Sequence, residues 1–203
     1  MSWTRNYDNF VYALTVVNNS NSTTTPTTYD PPLRAKWTNG SIATISLQKG
    51  PSSGSRPTPL SIFKSAPNAM NYENSYSGVT AGYAYVMFGT GETAESYEDY
   101  KLDAAIEGGS FTALTDSLTE STIDGNSITG GVAVRSYQYT GSSPVTVKEF
   151  GVYAIIASSG SYDYPSLLYR KVLDAPITLE QYDRIEITVE LPTITPLTPY
   201  PAA

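Results

Sequence analysis

The stretch Asp183-Arg184-Ile185-Glu186-Ile187-Thr188-Val189-Glu190-Leu191 shows the pattern that decides the fold class. From Arg184 onward, charged or hydroxyl side chains alternate with apolar side chains. Successive side chains of a β-strand point to opposite faces of the sheet, so this alternation is typical of a strand with one face in a core and the other in solvent. The sequence therefore predicts a strand over 183–191.

Six further stretches are rich in β-branched and aromatic residues and are bounded by turn-forming residues, as strands are. They are Ile42–Leu47, Leu60–Phe63, Tyr83–Phe88, Val132–Tyr139, Val145–Ile156 and Leu167–Leu173. Within Val145–Ile156 the alternation changes phase around Glu149–Gly151, which predicts a bulge. Short strands joined by such turns predict an all-β fold, either a sandwich or a barrel, of which we adopt an antiparallel β-sandwich of the jelly-roll-like type.

The two ends of the chain depart from this pattern. Apolar and aromatic residues recur every three or four positions within residues 1–18, which predicts a short N-terminal helix or arm. Residues 19–82 are polar and rich in turn formers, and we expect a loop-rich segment that contains the first strands. The sandwich core is assigned to 83–191. Residues 192–203 carry four prolines and predict an extended C-terminal arm.

Composition excludes several classes of function. The chain has 203 residues, 40% of them hydrophobic, with a net charge of −7 and neither Cys nor His. A Ser-His-Asp triad, a thiolate nucleophile, an imidazole ligand and a Cys-type zinc site are therefore excluded. The acidic balance and the scattered basic residues argue against nucleic acid as a partner. No apolar stretch reaches the length of a membrane span, and the N-terminus lacks a signal-peptide layout, so export by that route is not expected.

Carboxylates are the remaining candidates for chemistry. Glu92, Glu95, Glu98 and Asp99 lie close together in sequence, and a pair of acids roughly 5–10 Å apart in a cleft could hydrolyse a glycosidic bond. The simpler interpretation, which we adopt, is a solvated acidic loop. Asp124-Gly125-Asn126 lacks the alternating acids of a calcium loop and predicts a tight turn. We therefore expect no enzyme, no catalytic or metal-binding residues and no cofactor.

Three segments carry a resemblance to known proteins. The first is Phe88-Gly89-Thr90-Gly91-Glu92-Thr93-Ala94, followed by Asp99-Tyr100-Lys101-Leu102. The second is Val147-Lys148-Glu149-Phe150-Gly151-Val152-Tyr153. The third is Leu167-Leu168-Tyr169-Arg170-Lys171-Val172-Leu173, then Pro176-Ile177-Thr178-Leu179 and the strand Ile185–Leu191. Together they resemble a broad group of small β-rich virion structural proteins of tailed bacteriophages, over about half of the chain.

The resemblance implies a non-enzymatic virion protein, assembled in the host cytoplasm. Its most direct form is a capsid decoration, cement or head-fibre subunit that contacts copies of itself, as a homo-oligomer such as a trimer, and a major capsid or tail protein. Residues 1–18 and 192–203 would then be contact arms. One alternative is a tail or baseplate module that binds a receptor or carbohydrate through Tyr72–Tyr85 and Ser158–Tyr164. Another is a self-assembling extracellular filament subunit.

Two details of these segments bear on local structure. Lys148 and Glu149 could project from a bulged strand and pin a neighbouring loop, or they could simply face solvent. Pro176 predicts a turn before the last strand.

Overall fold

The computed structural model describes residues 3–19, 34–45, 84–106, 110–120, 123–124, 127–128, 131–154 and 165–191. In these ranges one helix, α1 (Arg5–Asn19), precedes the strands. The strands are β1 (Arg34–Lys36), β2 (Ile42–Thr44), β3 (Ala84–Gly89), β4 (Phe111–Glu120), β5 (Ile123–Asp124), β6 (Ser127–Ile128), β7 (Gly131–Tyr139), β8 (Val145–Ala154), β9 (Ser166–Leu179) and β10 (Arg184–Leu191).

Two antiparallel three-stranded sheets form the sandwich, with strand orders β3-β8-β9 and β10-β7-β4. Aromatic rings join them: the ring centre of Phe88 lies 4.4 Å from that of Phe111 and 5.4 Å from that of Tyr137. The chain changes sheet after β3, β7 and β9, a trait shared with jelly-roll sandwiches. The predicted all-β, antiparallel fold is confirmed.

The hairpin of β4 and β7 extends beyond the end of β10, the third strand of its sheet. Its register is constant from the pair Thr115–Ser136 to the pair Asp124–Ser127, so β5 and β6 continue the same hairpin. Gly125 and Asn126 of the predicted tight turn lie outside the described residues. Strand β10 accompanies β7 only as far as Gly131.

Most of the predicted strands that fall in the described ranges coincide with observed ones. The prediction of a turn at Pro176 is wrong, because β9 continues through this residue to Leu179. Between Val172 and Ile177, β9 contains three more residues than the facing part of β8, so Pro176 needs no ladder partner. The turn to β10 comes later, around Tyr182, which has a φ of 74°. The predicted strand Leu60–Phe63 lies outside the described residues.

Strand β8 is buried on both faces over most of its length. Phe150 and Val152 belong to the core between the two sheets. On the opposite face, Tyr153 packs in a second, smaller core with Met87, Leu102 and Leu167. A strand buried on both faces does not alternate, which explains the change of phase in the sequence. The register of β8 against β9 also shifts on both sides of this region, in line with the predicted bulge.

The predicted N-terminal helix forms and packs against its own domain. Tyr7, Phe10 and Ala13 are buried in the main core. The Asn6 amide donates to the carbonyl of Lys36 at 2.9 Å, and its oxygen accepts from the N–H of the same residue at 2.8 Å. Just before the helix, the Thr4 hydroxyl donates to a β9 carbonyl at 2.7 Å. Residues 3–13 are therefore part of the fold itself.

Tyr7 provides a test of this packing. Burial, and next the charge of Asp8, raise the pKa of its phenol, and its hydroxyl has no hydrogen-bond partner among the described residues. We expect Tyr7→Phe to leave the free energy of unfolding unchanged at pH 7, or to raise it by up to about 1 kcal/mol. Because the folded state disfavours the phenolate, the wild type keeps its full free energy of unfolding below the unfolded pKa of tyrosine, about 10. Above that pH its free energy of unfolding falls progressively.

Urea unfolding of the wild type and of Tyr7→Phe across the alkaline range makes this comparison. The variant should lose less stability than the wild type once the pH passes the ordinary tyrosine pKa. Tyr182→Phe is the matched control, since the ring of Tyr182 is exposed and its change should leave the wild-type pH dependence intact. A Tyr7→Phe variant as sensitive to alkali as the wild type would contradict the burial of the neutral phenol.

Candidate functional site

The first segment, the second segment and the Leu167–Leu173 part of the third meet at one place, on the face of the β3-β8-β9 sheet that points away from the other sheet. Residues 90–106 follow β3 and fold back over this face. Glu149 of β8 and Arg170 of β9 lie beneath them and bind each other, with the Arg170 Nε 2.8 Å from Oε2 of Glu149. We call Glu149, Arg170, Tyr153 and the groups that they bind in 90–106 the pinning cluster.

Glu149 is fully buried, and its carboxylate is surrounded by donors. Oε1 accepts from the backbone N–H of Ala104 at 2.8 Å and from that of Gly91 at 3.2 Å. Oε2 accepts from Arg170 at 2.8 Å and from the N–H of Asp103 at 3.3 Å. Of the two alternatives for Glu149, the structure shows the pinning of a loop.

Arg170 holds the other part of the loop. Its guanidinium donates to the Asp99 carboxylate at 2.8 Å and to the carbonyl of Thr93 at 2.9 Å. Burial alone would lower the pKa of Arg170, but hydrogen bonds and charges from Asp99 and Glu149 outweigh it and raise that pKa above its ordinary value. Arg170 therefore stays charged, and its planar fork binds several groups of the loop at once.

Close backbone approach completes the cluster. The Tyr153 hydroxyl accepts from the N–H of Leu102 at 2.7 Å. A Cβ at Gly89 or at Gly91 would come within 2.5 Å of Oε1 of Glu149. A side chain at either position would therefore push the carboxylate away from the amides that it binds. This contact explains the Gly-Thr-Gly of the first segment.

The four candidate carboxylates are each paired with a cation. Glu92 contacts Lys148, and Glu98 contacts Arg5. Glu95 lies 3.5 Å from the Lys171 ammonium and also accepts from the N–H of a β9 residue at 2.8 Å. Asp99 belongs to the pinning cluster. Glu95 and Asp99 are largely buried and hold residues 90–106 to the sheet, whereas Glu92 and Glu98 are largely exposed and form ion pairs at the surface.

A neighbouring acid has a similar structural use. The Thr93 hydroxyl donates to the carboxylate of Asp103 at 2.7 Å. This hydrogen bond, foremost among several contacts, lowers the pKa of Asp103 below its ordinary value. Residues 90–106 are thus fixed by side chains within the segment as well as by the sheet beneath.

A groove beside α1 is an open feature next to this cluster. It has a volume of about 490 Å³ and lies between the start of the helix, β1 and residues 98–100. The Lys36 ammonium lies 3.9 Å from the ring centre of Tyr100. Among the described residues, no carboxylate lies within ion-pair distance of Arg34 or Lys36, whereas Arg5 binds Glu98. Glu98 and Asp99 also line the groove but pair with Arg5 and Arg170, so the charges on its described wall that lack an ion-pair partner are the positive ones of Arg34 and Lys36.

Several predicted sites fall outside the described residues. They are most of Tyr72–Tyr85, of which only the backbone of Ala84 and Tyr85 is described, all of Ser158–Tyr164 and the arm 192–203. In the ranges that the structure does describe, no group of three or more acidic side chains could hold a metal ion. The helix found there is too short and too polar to cross a membrane.

Sequence reasoning finds the parts of the pinning cluster but not their connection. It names Arg170 only as one residue of the third segment, and it assigns no partner to the Tyr153 hydroxyl. The signal in the sequence that could have found the cluster is Glu149, two positions before Gly151 within a long apolar strand. A carboxylate buried there needs hydrogen-bond donors close at hand.

The chain matches no protein-family model, no curated protein and no solved structure. Its function is therefore inferred from the pinning cluster, the groove beside α1 and the exposed strand edges.

The pinning cluster predicts a large effect from a small change. We expect Glu149→Gln to lower the free energy of unfolding by about 2–4 kcal/mol, because Arg170 loses its fully buried counter-charge and a neutral amide replaces an acceptor of several N–H groups. The matched control is Glu92→Gln, which removes a surface ion pair with Lys148 and should cost less than about 1 kcal/mol.

Urea unfolding of the two variants gives the comparison, and amide hydrogen exchange localises it. In Glu149→Gln the N–H groups of Gly91 and Ala104 should exchange faster than in the wild type. The N–H groups of β7 should keep the same relative exchange rates as in the wild type. Equal losses of stability in the two variants would show that Glu149 does not hold the loop.

Proposed function

We propose that this protein is a non-enzymatic structural component of a tailed-phage virion, a capsid decoration, cement or head-fibre subunit that works by adhesion. The observation that carries the proposal is the meeting of the first two resemblance segments with the Leu167–Leu173 part of the third in the pinning cluster. These segments are far apart in sequence, yet their residues depend on one another. Gly89 and Gly91 leave room for the Glu149 carboxylate, and this carboxylate is the buried counter-charge of Arg170. A coincidental likeness of short motifs gives no reason for such mutual fit, whereas a shared fold does.

The acidic residues give independent support. The carboxylates that could have formed an enzyme site are bound to Arg and Lys side chains and to backbone N–H groups. What the described surface offers instead is an ordered sandwich with a long hairpin and exposed strand edges. Such a body suits adhesion, because surfaces that are already ordered lose little conformational entropy on binding.

Of the two contact arms expected from the sequence, the N-terminal one belongs largely to the folded domain. Residues 3–13 pack in the core of the chain itself, with Phe10 and Ala13 fully buried, so their removal would damage the fold. The C-terminal residues 192–203 remain the arm that adhesion would use. Extended, proline-rich segments lose less entropy on docking than flexible ones do.

Particle binding tests the proposal. We expect antibody against residues 83–191 to label the head shell of purified particles in immunogold electron microscopy. We also expect removal of 192–203 to weaken binding of the purified protein to particles that lack it by about tenfold or more, since one of several linked contacts is lost.

The control for that truncation is a full-length chain in which residues 192–203 are kept in composition but scrambled in order. Label on the tail tip would favour the second candidate below. Particles without label, together with labelled filaments, would overturn the virion assignment and favour a self-assembling surface protein.

A receptor- or carbohydrate-binding module at the tail is the second candidate, and the groove beside α1 is the observation that favours it. Arg34, Lys36 and Tyr100 present cationic and aromatic groups in a volume of ligand size. A glycan array probed with the assembled protein tests it. A signal that Lys36→Glu abolishes would support this candidate, and a blank array would remove it.

A further inference from the structure

Strand β10 lies at the edge of its sheet and pairs only with β7 among the described strands. In an antiparallel sheet, alternate residues direct their peptide groups to opposite neighbours. The N–H of Tyr139 donates to the carbonyl of Asp183 at 2.9 Å, whereas that of Thr140 donates to Ser110, on the β4 side, at 2.8 Å. Odd-numbered residues of β7 therefore face β10.

The register then assigns the two sides of β10. The odd-numbered residues of β7 pair with Ile185, Ile187 and Val189, so these residues bind β7. The even-numbered residues direct their N–H and C=O groups outward, and their side chains are exposed: Arg184, Glu186, Thr188 and Glu190. An edge of this kind can accept a further strand by β-augmentation.

The charges along this edge complement themselves. When two copies of β10 run antiparallel about a twofold axis at Ile187, Arg184 stands opposite Glu190 of the second copy, and Glu186 stands opposite Thr188. The even-numbered residues are then the hydrogen-bonded pairs, as their outward peptide groups require. Opposite charges at directly facing positions stabilise antiparallel pairing.

Registers in which the twofold axis lies one residue away from Ile187 lack this complementarity. An axis at Glu186 places that carboxylate opposite itself, and an axis at Thr188 places Glu186 opposite Glu190 twice. Like charges directly opposite each other destabilise a strand pair. An axis at Ile185 would set Arg184 opposite Glu186, but the end of each strand would then face the turn of the other copy rather than its strand. The register centred on Ile187 is therefore the one that the sequence favours.

The apolar surface beside this edge also favours a second copy of the chain as the partner of β10. A cleft of about 160 Å³ opens between the two sheets at β10, and its apolar lining includes Leu173, Ile177, Ile185 and Ile187. Ile177 is 42% exposed, although it is a large aliphatic side chain. A second copy seated along β10 would cover this cleft, and burial of apolar surface would add to the backbone hydrogen bonds.

We propose that two copies of this chain associate through β10, antiparallel and centred on Ile187, and join their β10-β7-β4 sheets into one six-stranded sheet. The contact is isologous, so a dimer is the smallest assembly, rather than the trimer given as an example in the sequence analysis. This contact goes beyond the proposed function and does not depend on it. Particle labelling can fail while the dimer stands, and the reverse also holds.

Charge reversal tests the register. Arg184 and Glu190 are six positions apart in an extended strand, roughly 20 Å, and cannot contact each other within one chain. We expect Arg184→Glu and Glu190→Arg each to weaken dimerisation by about tenfold or more, because two attractive pairs become repulsive. The double variant R184E/E190R should restore it, since it exchanges the two charges and leaves the net charge at −7.

Sedimentation equilibrium of the full chain measures the effect, with the wild type expected at twice 21.9 kDa. Lys101→Glu is the control for the change of net charge, because this exposed residue lies in 90–106 and not on the edge. It should leave the dimer intact.

Thr188→Pro provides a second test that does not depend on charge. The N–H of Thr188 points away from β7, so proline should be accepted in the monomer as at other edge positions, while an added strand would lose a donor and meet the ring. We expect a folded monomer by circular dichroism and sedimentation. A wild type that stays monomeric to about 100 µM, a trimer, a dimer indifferent to these variants, or a double variant without recovery would each overturn the proposal.

Discussion

The buried ion pair between Glu149 and Arg170 is the contact on which the outer layer of this structure depends. Removing two charges from water costs several kcal/mol for each ion unless hydrogen bonds replace the lost hydration. Here the replacements come from one stretch of chain: Gly91, Asp103 and Ala104 donate to the carboxylate, and Thr93 accepts from the guanidinium. Residues 90–106 must therefore adopt one conformation, since any other would leave a buried charge without partners.

This constraint determines what surrounds it. Because the loop must approach Glu149 closely, glycine is required at 89 and at 91. Because the loop covers β8, that strand is buried on both faces and can hold Tyr153 in a small second core. The acids of the loop, which the sequence alone predicts to be a solvated acidic stretch, bind cations of the sheet and of α1.

The sequence predicts a strand well where polar and apolar residues alternate without interruption. Strand β10 is predicted to within one residue, because apolar residues alternate with polar ones along its whole length. Strand β4 is missed, because a register shift between Ala113 and Thr115 places two apolar residues, Ala113 and Leu114, side by side and hides the alternation. The identity of partners is harder still: alternation tells which face of a strand is buried, but not that Arg170 binds the carbonyl of Thr93.

The buried residues of the resemblance segments stabilise the domain and are not exposed to other molecules. Gly89, Gly91, Glu149 and Arg170 are occupied with one another, so the short motifs that contain them describe how the domain is built. Any recognition of other molecules would then use residues that take no part in this cluster. On the described surface the even-numbered residues of β10 and the cations of the groove are such residues, because their charged side chains take no part in the pinning cluster. A protein that uses the buried charges of Glu149 and Arg170 to hold one loop, and carries complementary charges on a strand edge, keeps the charges that stabilise this part of its fold apart from those proposed to bind a second copy.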